Sequence, residues 1–338
     1  MKKEKTIKTI KSISSLLLAN EALKRSISVK HLNPYRNDEA FLELNYKNHS
    51  EFIIGQRTSL ISFAAYWILE NKDLTRQLLK KNGISIPSGA VFNKNNTSEI
   101  LDYCRNIGFP VVAKPTCGAH GDLVFVGIEN KKELDEAIKK ILNEYSCVLI
   151  EKMFFGEEYR IVATRNKFIA ATKREPANVV GDGTHSIGEL VEIKNSDLRR
   201  GDTYQDIFVK IKIDEVAEKM LLSQKLKLDD ILSKGRIVYL RNNSNISTGG
   251  DSIDVTDIVH ADFKRIAVKI IRSIPELPYG GIDIMSNQDI SKKPTKKSYT
   301  ILEANSSPGI SLQHYPFEGK PRNVAKEIID MLFPETKK

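Results

Sequence analysis

Between residues 84 and 151, short apolar runs alternate with longer stretches whose apolar positions recur at helical spacing. Two of the helical stretches end at a glycine, Gly83 and Gly108, and an apolar run follows each of them. We expect strands at 84–92, 109–113, 123–128 and 147–151, and helices at 96–106 and 131–145. Such a chain buries its sheet under helices, which predicts a compact middle lobe of the α/β (α+β) class.

The remaining chain extends this lobe on both sides. The 338 residues are enough for two or three lobes, and we expect them at 1–66, 67–155 and 156–338. The first lobe is short and shows one amphipathic helix, at 13–27, with little sign of strands. A second helix is expected at 59–82. In the last lobe we expect an antiparallel strand pair and a later hairpin, with strands at 158–164, 168–173, 235–241, 280–286 and 299–305, and helices at 186–195, 261–274 and 322–332.

Composition excludes several classes of protein. No apolar run approaches the ~20 residues that span a bilayer. Three scattered cysteines form no CxxC pair, and the six histidines form no HExxH motif, which argues against disulfide frameworks and zinc. The net charge of +9 comes from lysines spread along the chain, so anionic small molecules explain it without nucleic acid. We therefore expect a cytoplasmic protein that contacts neither membrane nor nucleic acid.

The most informative pattern is the hairpin formed by GGIDIMS at 280–286 and YTILEANSSPG at 299–309. Strand alternation puts Glu303 and Asn305 on one face, and antiparallel pairing can bring Asp283 beside them. Two carboxylates and an amide oxygen suit Mg²⁺, which takes few protein ligands and completes its shell with water and phosphate. The alternative is a solvated hairpin whose polar face meets only water.

Two lysines and a glycine loop offer contacts for phosphates. Lys114 lies in the apolar strand VVAKP, where an unpaired ammonium is costly, so it needs an anionic partner or access to solvent. Lys72 lies on the expected helix and is equally explained as an exposed helix lysine. The loop TCGAHGD contains Gly118 and Gly121, whose amides can approach phosphate closely, although it is no Walker A motif and a plain turn is the alternative.

The stretch VLIEKMFFGEEYR at 148–160 has the pattern of a hinge. Glu151 ends an apolar strand and could accept a hydrogen bond from an adenine amino group. Glu158 could bind ribose hydroxyls, while Met153 and Phe154 offer apolar walls. Taken singly, apolar residues in such a stretch more often belong to the core.

The order of these residues resembles the ATP-grasp superfamily over roughly residues 70 to 335. Three longer strings are similar to the ATP-grasp modules of cyanophycin synthetase and of bifunctional glutathione synthase. They are REPANVVGDGTHSIGELVEIKN at 174–195, LRNNSNISTGGDSIDVTD at 240–257 and HYPFEGKPRNV at 314–324. The resemblance implies two lobes gripping ATP and a ligase that joins a carboxylate to an amine through an acyl-phosphate. It also implies Mg²⁺, as two ions that Mn²⁺ can replace.

Site roles follow from the resemblance, position by position. Asp283, Glu303 and Asn305 would bind the metal, and Arg241 and Arg174 would face the substrate carboxylate or the developing negative charge. A surface salt bridge is the alternative for either arginine. The substrate contacts are expected from Ser247, Gly249, Gly250, Ser307 and Gly309. The nucleotide contacts are expected from Lys72, Lys114, Gly118, His120, Gly121, Glu151, Lys152, Phe154 and Glu158.

The chain also departs from the family pattern. The D-alanine ligase branch has an arginine two residues before the metal-binding aspartate, where this chain has Gly281. The first lobe is shorter than usual, and a partner protein would supply what is missing. A homodimer is the other expected assembly. Two other functions stay open: a catalytically inactive ATP-binding regulatory or scaffold protein, which the complete metal set disfavours, and a single-stranded nucleic-acid binder, which the spread of lysines disfavours.

Overall fold

The computed structural model describes residues 8–34, 39–118, 122–203 and 206–337. Within these ranges the chain combines helices with three antiparallel sheets, of four, five and four strands, and two two-stranded sheets, so the predicted mixed class is confirmed. None of the helices described has the length and apolar character needed to cross a membrane.

The amino-terminal lobe contains a four-stranded antiparallel sheet that the sequence did not predict. Helix α1 (Ile13–Lys24) begins after Ser12, whose side chain accepts a hydrogen bond from the Ser15 amide. The strands that follow are β1 (Ser28–His31), β2 (Phe41–Tyr46), β3 (His49–Ile54) and β4 (Arg57–Thr58). The inner face buries Leu42, Leu44 and Ile53, but polar residues dominate the lobe and hide this pattern.

The single helix expected at 59–82 is in fact two helices, α2 (Phe63–Glu70) and α3 (Lys72–Lys81). The side chain of Asn71 accepts hydrogen bonds from the amides of Asp73 and Leu74, at 3.0 and 3.1 Å, and so caps α3. Lys72 is therefore the first residue of a helix. The sequence analysis placed it within a helix because the apolar spacing continues across the break.

The middle lobe is an antiparallel sheet covered by two helices. Its strands are β5 (Gly89–Asn93), β6 (Val111–Pro115), β7 (Phe125–Ile128) and β8 (Cys147–Lys152), in the order β5-β8-β6-β7, and its helices are α4 (Ile100–Ile107) and α5 (Lys131–Glu144). The buried faces of both helices pack on the sheet through residues such as Ile100, Leu134 and Ile141. This is the lobe that the strand and helix alternation predicted.

The rest of the chain is built on a five-stranded antiparallel sheet with the order β15-β10-β9-β16-β17. The strands of this part are β9 (Glu157–Thr164), β10 (Phe168–Glu175), β11 (Asn178–Val180), β12 (Arg200–Gly201), β13 (Phe208–Val209), β14 (Ile237–Tyr239), β15 (Asp251–Asp254), β16 (Tyr279–Ser286) and β17 (Tyr299–Asn305). Its helices are α6 (Ile187–Asn195), α7 (Glu215–Ser223), α8 (Ala261–Ser273), α9 (Ser311–His314) and α10 (Val324–Leu332). Strands β16 and β17 are the predicted hairpin.

The two faces of this sheet have different neighbours. Tyr159, Ile161 and Ile282 lie on the face that packs against α8 in one large core. On the opposite face, Val162 and Tyr279 pack under the amino-terminal lobe and α10. Strand residues alternate between faces, so the polar residues that precede Val162 on β9 at every second position share its face. The amino-terminal lobe and α10 do not cover this end of the sheet. This uncovered part of the sheet carries the candidate site.

Candidate active site

The predicted metal ligands lie together on the uncovered face. Asp283 on β16 is directly opposite Glu303 on β17, and Asn305 is opposite Gly281. Directly paired residues in a sheet point to the same side, so the two carboxylates and the amide share one face. Asp283 is buried and Glu303 is partly exposed.

Arg160 is a site residue that the sequence analysis missed. It lies on β9 opposite Asp283, and its Nε and Nη2 donate to the two carboxylate oxygens, the Nη2–Oδ2 distance being 2.8 Å. Burial by itself lowers the pKa of the guanidinium, but the adjacent Asp283 carboxylate outweighs this effect and raises it. A signal was present: Arg160 is two residues after Glu158 in a strand and therefore faces the same side.

Arg174 on β10 joins Arg160, Asp283 and Glu158 in one cluster of charged side chains. Its Nη1 donates to Glu158 at 2.6 Å and lies 3.7 Å from Asp283, while its Nη2 donates to Asn245 at 3.2 Å. The side chain of Ser244 donates to the other Glu158 oxygen. Among the described residues, the Nε of Arg174 is one of four buried side-chain N or O atoms that have no hydrogen-bond partner.

Lys72 connects the middle lobe to the metal hairpin. Its ammonium donates to the carbonyl of Gly118 at 2.7 Å and lies 3.5 Å from the Glu303 carboxylate. Its backbone amide donates to the Thr116 carbonyl at 2.8 Å. The cation is thus held between Gly118 of the glycine loop and the predicted metal ligand Glu303. The predicted contacts His120 and Gly121 lie outside the described residues.

The anionic partner that Lys114 needs is Glu151, on the neighbouring strand β8. The Lys114 ammonium lies 2.6 Å from one Glu151 oxygen, and Arg76 of α3 donates to the other. Glu151 is only 3% exposed, so both carboxylate oxygens are used inside the middle lobe. Lys114, Arg76 and Glu151 thus form a buried ion triad. The adenine contact predicted for Glu151 remains a prediction.

The hinge after β8 carries Lys152 and Phe154. The Lys152 ammonium donates to the carbonyls of Gly108 and Phe109, both at 2.9 Å. Phe154 is half-buried in the connection between β8 and β9. Their predicted nucleotide contacts are not tested by these positions.

Arg241 lies outside the contacts described for the cluster. Its guanidinium donates to the Leu240 carbonyl, to the Lys212 carbonyl and, at 2.8 Å, to Asp214 at the start of α7. The expected substrate loop follows it: Ser247 lies in a short 3₁₀ turn, Gly249 has φ +95°, and Gly250 packs tightly against the Glu175 carbonyl. Within LRNNSN, the side chains that reach the cluster are those of Ser244 and Asn245.

The loop after β17 is held by the amino-terminal lobe. The Gln56 side-chain oxygen accepts hydrogen bonds from the amides of Gly309 and Ile310, at 2.8 and 3.1 Å. Arg57 donates to the hydroxyl of Ser306 at 3.1 Å. Two of the predicted substrate residues, Ser307 and Gly309, are therefore in the loop that follows β17, and the amino-terminal lobe holds this loop in place.

The donor set fits a hard cation bound together with a nucleotide. No group of three or more His, Cys, Asp or Glu side chains in the described residues is arranged to hold a metal. Mg²⁺ does not need one, because it usually takes one or two carboxylates plus substrate phosphates. Asp283, Glu303 and Asn305 supply that set, and Lys72, Arg160 and Arg174 surround it with positive charge suited to phosphates.

Comparison with known proteins agrees with this geometry. The family model described as "Carbamoyl-phosphate synthase L chain, ATP binding domain" matches residues 71–227. The chain carries an ATP-grasp domain. The matched region begins at the Asn71 cap of α3 and includes Lys72, Lys114 and the hinge.

Two kinds of curated relative extend the similarity of this ATP-grasp chain to nearly its full length. The glutathione biosynthesis bifunctional protein of Clostridium perfringens is 33% identical over 95% of the chain and 41% of the relative. The cyanophycin synthetase of Crocosphaera subtropica is 34% identical over 95% of the chain and 36% of the relative. The resemblance drawn from the sequence strings is confirmed.

A solved structure shows that the fold is shared as well. The bifunctional glutathione synthetase from Pasteurella multocida superposes with a TM-score of 0.73 at 34% identity, over 96% of this chain and 43% of that one. The predicted ATP-grasp fold is therefore confirmed. The chain spans less than half the length of these relatives.

Proposed function

We propose that the chain is an ATP-dependent ligase that joins a carboxylate to an amine. A carboxylate oxygen of one substrate attacks the terminal phosphorus of ATP and displaces ADP, which forms an acyl-phosphate. The amine nitrogen of the second substrate then attacks the carbonyl carbon, phosphate leaves, and the amine loses a proton. The names of the relatives support this class, since they synthesise glutathione or cyanophycin.

The observation that carries the proposal is the convergence of oppositely charged groups on one sheet face. Asp283 and Glu303 are paired across β16 and β17, and Arg160, Arg174 and Lys72 lie within 4 Å of one or the other carboxylate. A regulatory protein without chemistry would not need a metal set together with several cations. Phosphoryl transfer does, because its catalysis is positioning and charge neutralisation.

Each part of the site has a task in this reaction. Bound Mg²⁺ would neutralise phosphate charge, held by Asp283, Glu303 and Asn305. Lys72 would bring the glycine loop of the middle lobe to the phosphates, because it already joins that loop to Glu303. Arg174, whose Nε has no partner, would stabilise negative charge, and Glu158 beside it would accept a hydrogen bond from a ribose hydroxyl.

The finer assignments are part of the proposal. Two Mg²⁺ ions, replaceable by Mn²⁺, would serve the site, and the substrates would be amino acids or short peptides. Ser247, Gly249, Gly250, Ser307 and Gly309 would contact them, and Arg241 would hold a substrate carboxylate after exchanging its Asp214 partner. Three free cysteines support a reducing cytoplasm. The protein would act as a homodimer or with a partner protein.

The experiment that tests the function is a pairwise screen of amino acids and short peptides for phosphate release from ATP with Mg²⁺. We expect release to require both a carboxylate and an amine substrate, with a product heavier than either by mass spectrometry. ATP binding without release for any pair would instead support the regulatory protein. Salt-sensitive binding of single-stranded nucleic acid would support the nucleic-acid binder.

Replacing a predicted metal ligand distinguishes ligase activity from ATP binding alone. We expect Glu303→Gln to lower turnover by a factor on the order of a hundred or more, because a metal-binding charge is lost where the phosphoryl group is transferred. The fold should survive, since Glu303 is partly exposed. The control is Glu136→Gln, an exposed residue of α5. Wild-type turnover of Glu303→Gln at ordinary Mg²⁺ would contradict the metal assignment.

A further inference from the structure

Large apolar side chains are exposed on the amino-terminal lobe and on the helix that follows it. Phe52 on β3 is 42% exposed, and Phe63 and Trp67 on α2 are 76% and 54% exposed. Ile54 and Leu60 are exposed as well. These five residues are termed the aromatic surface. A cluster of exposed aromatic and aliphatic side chains is typical of a surface that another molecule covers.

The helix α2 turns its aromatic side chains away from the core. Ala65 and Leu69 are its buried residues and lie one turn apart, so they mark the side that faces the core. Phe63 and Trp67 each precede one of them by two residues. At 3.6 residues per turn, two residues correspond to about 200°, which puts both aromatic side chains on the opposite side of the helix.

Arg57 connects the exposed face of the sheet to α2. It is directly paired with Ile54 across β3 and β4, so the two side chains lie on the same face. The guanidinium of Arg57 lies 5.4 Å from the centre of the Tyr66 ring. The Tyr66 ring is 6.2 Å from the Trp67 ring, which is 5.9 Å from the Phe63 ring. The sheet face and the helix therefore form one continuous surface.

The size of the aromatic surface matches the apolar centre of a dimer interface. An aromatic side chain buries ~150–250 Å², so the exposed fractions of Phe52, Phe63 and Trp67 amount to roughly 260–430 Å². A standard interface buries about 800 Å² on each partner, of which about 56–65% is apolar. With Ile54 and Leu60 added, the aromatic surface supplies most of that apolar share.

The charged side chains next to this surface are paired with one another. Arg57 lies 2.7 Å from Glu39 and 3.7 Å from Glu70. On the sheet, the ammonium of Lys30 lies 3.7 Å from the carboxylate of Glu43. Two identical copies of the surface can therefore face each other without bringing unpaired like charges together.

The excess positive charge of the protein disfavours self-association through the side that carries α8. The net charge is +9. Within the described part of the chain, exposed cations of α8 and of the connection between β16 and β17 form no ion pair with a carboxylate; they include Lys269, Arg272, Lys292, Lys293, Lys296 and Lys297. A second copy that approached through that side would meet like charges.

We propose that the protein is a homodimer in which the aromatic surfaces of two copies pack against each other around a twofold axis. This inference rests on the proposed function only in choosing the homodimer over the partner protein, because the surface takes no part in the ligase chemistry. Phe63 and Trp67 protrude furthest, so they would lie at the centre of the interface and lose their contact with water.

Sedimentation equilibrium of the whole chain, without nucleotide, tests the dimer. We expect wild type to reach twice the mass of one chain. Trp67→Glu and Phe63→Glu should each weaken dimerisation on the order of a hundredfold or more, because each places two carboxylates in an apolar interface. The matched control is Leu222→Glu, which replaces a similarly exposed residue of α7 and should change the Kd of the dimer by less than about threefold.

Trp67 is the one tryptophan of the chain, so its fluorescence reports on the aromatic surface directly. When the dimer is diluted to monomer, we expect quenching of this fluorescence by acrylamide to rise about twofold or more, because the indole returns to water. In Phe63→Glu the quenching should be as strong as in the wild-type monomer at every concentration. Leu222→Glu should behave as wild type.

Three outcomes would overturn the proposal. The first is a wild-type chain that stays monomeric, with Trp67 accessible to acrylamide, at high concentration. The second is a dimer with wild-type Kd in both Phe63→Glu and Trp67→Glu, each shown to be folded by circular dichroism. The third is a dimer that Leu222→Glu weakens equally. Since none of these measurements uses ATP or turnover, failure of the ligase screen leaves the test of the dimer intact.

Discussion

At the scale of single residues, three charged side chains of the middle lobe pair with one another. Glu151 receives both Lys114 and Arg76 and is almost fully buried. A lysine in an apolar strand needed an anion, as its cost of burial predicted, but the anion is part of the protein. Residue types alone did not distinguish this carboxylate from a phosphate.

Glu151→Gln tests this triad. We expect the free energy of unfolding to fall by about 3–5 kcal/mol in urea titrations, because two buried cations lose their shared carboxylate. The control, Glu136→Gln on the same lobe, should change it by less than about 0.5 kcal/mol. Unchanged stability of Glu151→Gln with a weaker affinity for ATP would contradict the structural role and favour the adenine contact.

At the scale of elements, several helices begin at polar side chains that define their first residues. Asn71 caps α3 and thereby places Lys72 at its start, and Ser186 forms a capping box with Glu189 on α6. The helix α10 receives a more unusual contact, since His314 Nε2 accepts a hydrogen bond from the Ala325 amide at 3.1 Å. An imidazole that accepts this bond is neutral.

His314 predicts a pH-dependent stability. Burial lowers its pKa to about 4, against a value of about 6.5 in an unfolded chain; Glu21 on α1 raises the pKa by a smaller amount, and Lys24 lowers it further. Between these values the unfolded chain binds a proton that the folded chain does not. The contribution of His314 is therefore complete above about pH 6.5 and is lost as the pH falls towards about 4.

Urea unfolding at pH 7 and pH 5 measures this effect. We expect wild type to lose more stability over this interval than His314→Gln, whose side-chain oxygen still accepts from the Ala325 amide and does not titrate. Equal losses in the two proteins would show that His314 is not responsible.

At the scale of the whole molecule, the amino-terminal lobe contacts the loop that borders the candidate site. It shares one core with the five-stranded sheet and α10, and Gln56 holds the loop that follows β17. The predicted division at residue 66 stays a prediction, and the shared core contains residues from both sides of it. The short lobe supplies bracing for Gly309 directly.

Gln56→Ala tests the bracing. Two amides lose their acceptor, so we expect a loss of about 1–3 kcal/mol in stability and a raised KM for the substrates found in the screen, with the KM for ATP unchanged. Gln56→Glu keeps the acceptor and should stay closer to wild type in both. A larger effect on ATP than on the other substrates would contradict this division of tasks.

The sequence determined much of this molecule by itself. Period-two alternation is a local property, so it placed Asp283, Glu303 and Asn305 on one face of a hairpin. Helical spacing and glycine stops likewise predicted the middle lobe and α8. The amino-terminal sheet was missed because its strands lie among polar residues, and the break at Asn71 was missed because apolar spacing continues through it.

Only the tertiary structure decided which charges meet. Arg160 and Asp283 are 123 residues apart and become partners because β9 and β16 pair in register. Lys114 and Glu151 meet because β6 and β8 are neighbouring strands, and Arg76 reaches Glu151 from helix α3. Strand alternation fixes the face on which a side chain lies, whereas the order and register of strands decide its neighbours. Those depend on burial summed over the whole sheet, which no local pattern contains.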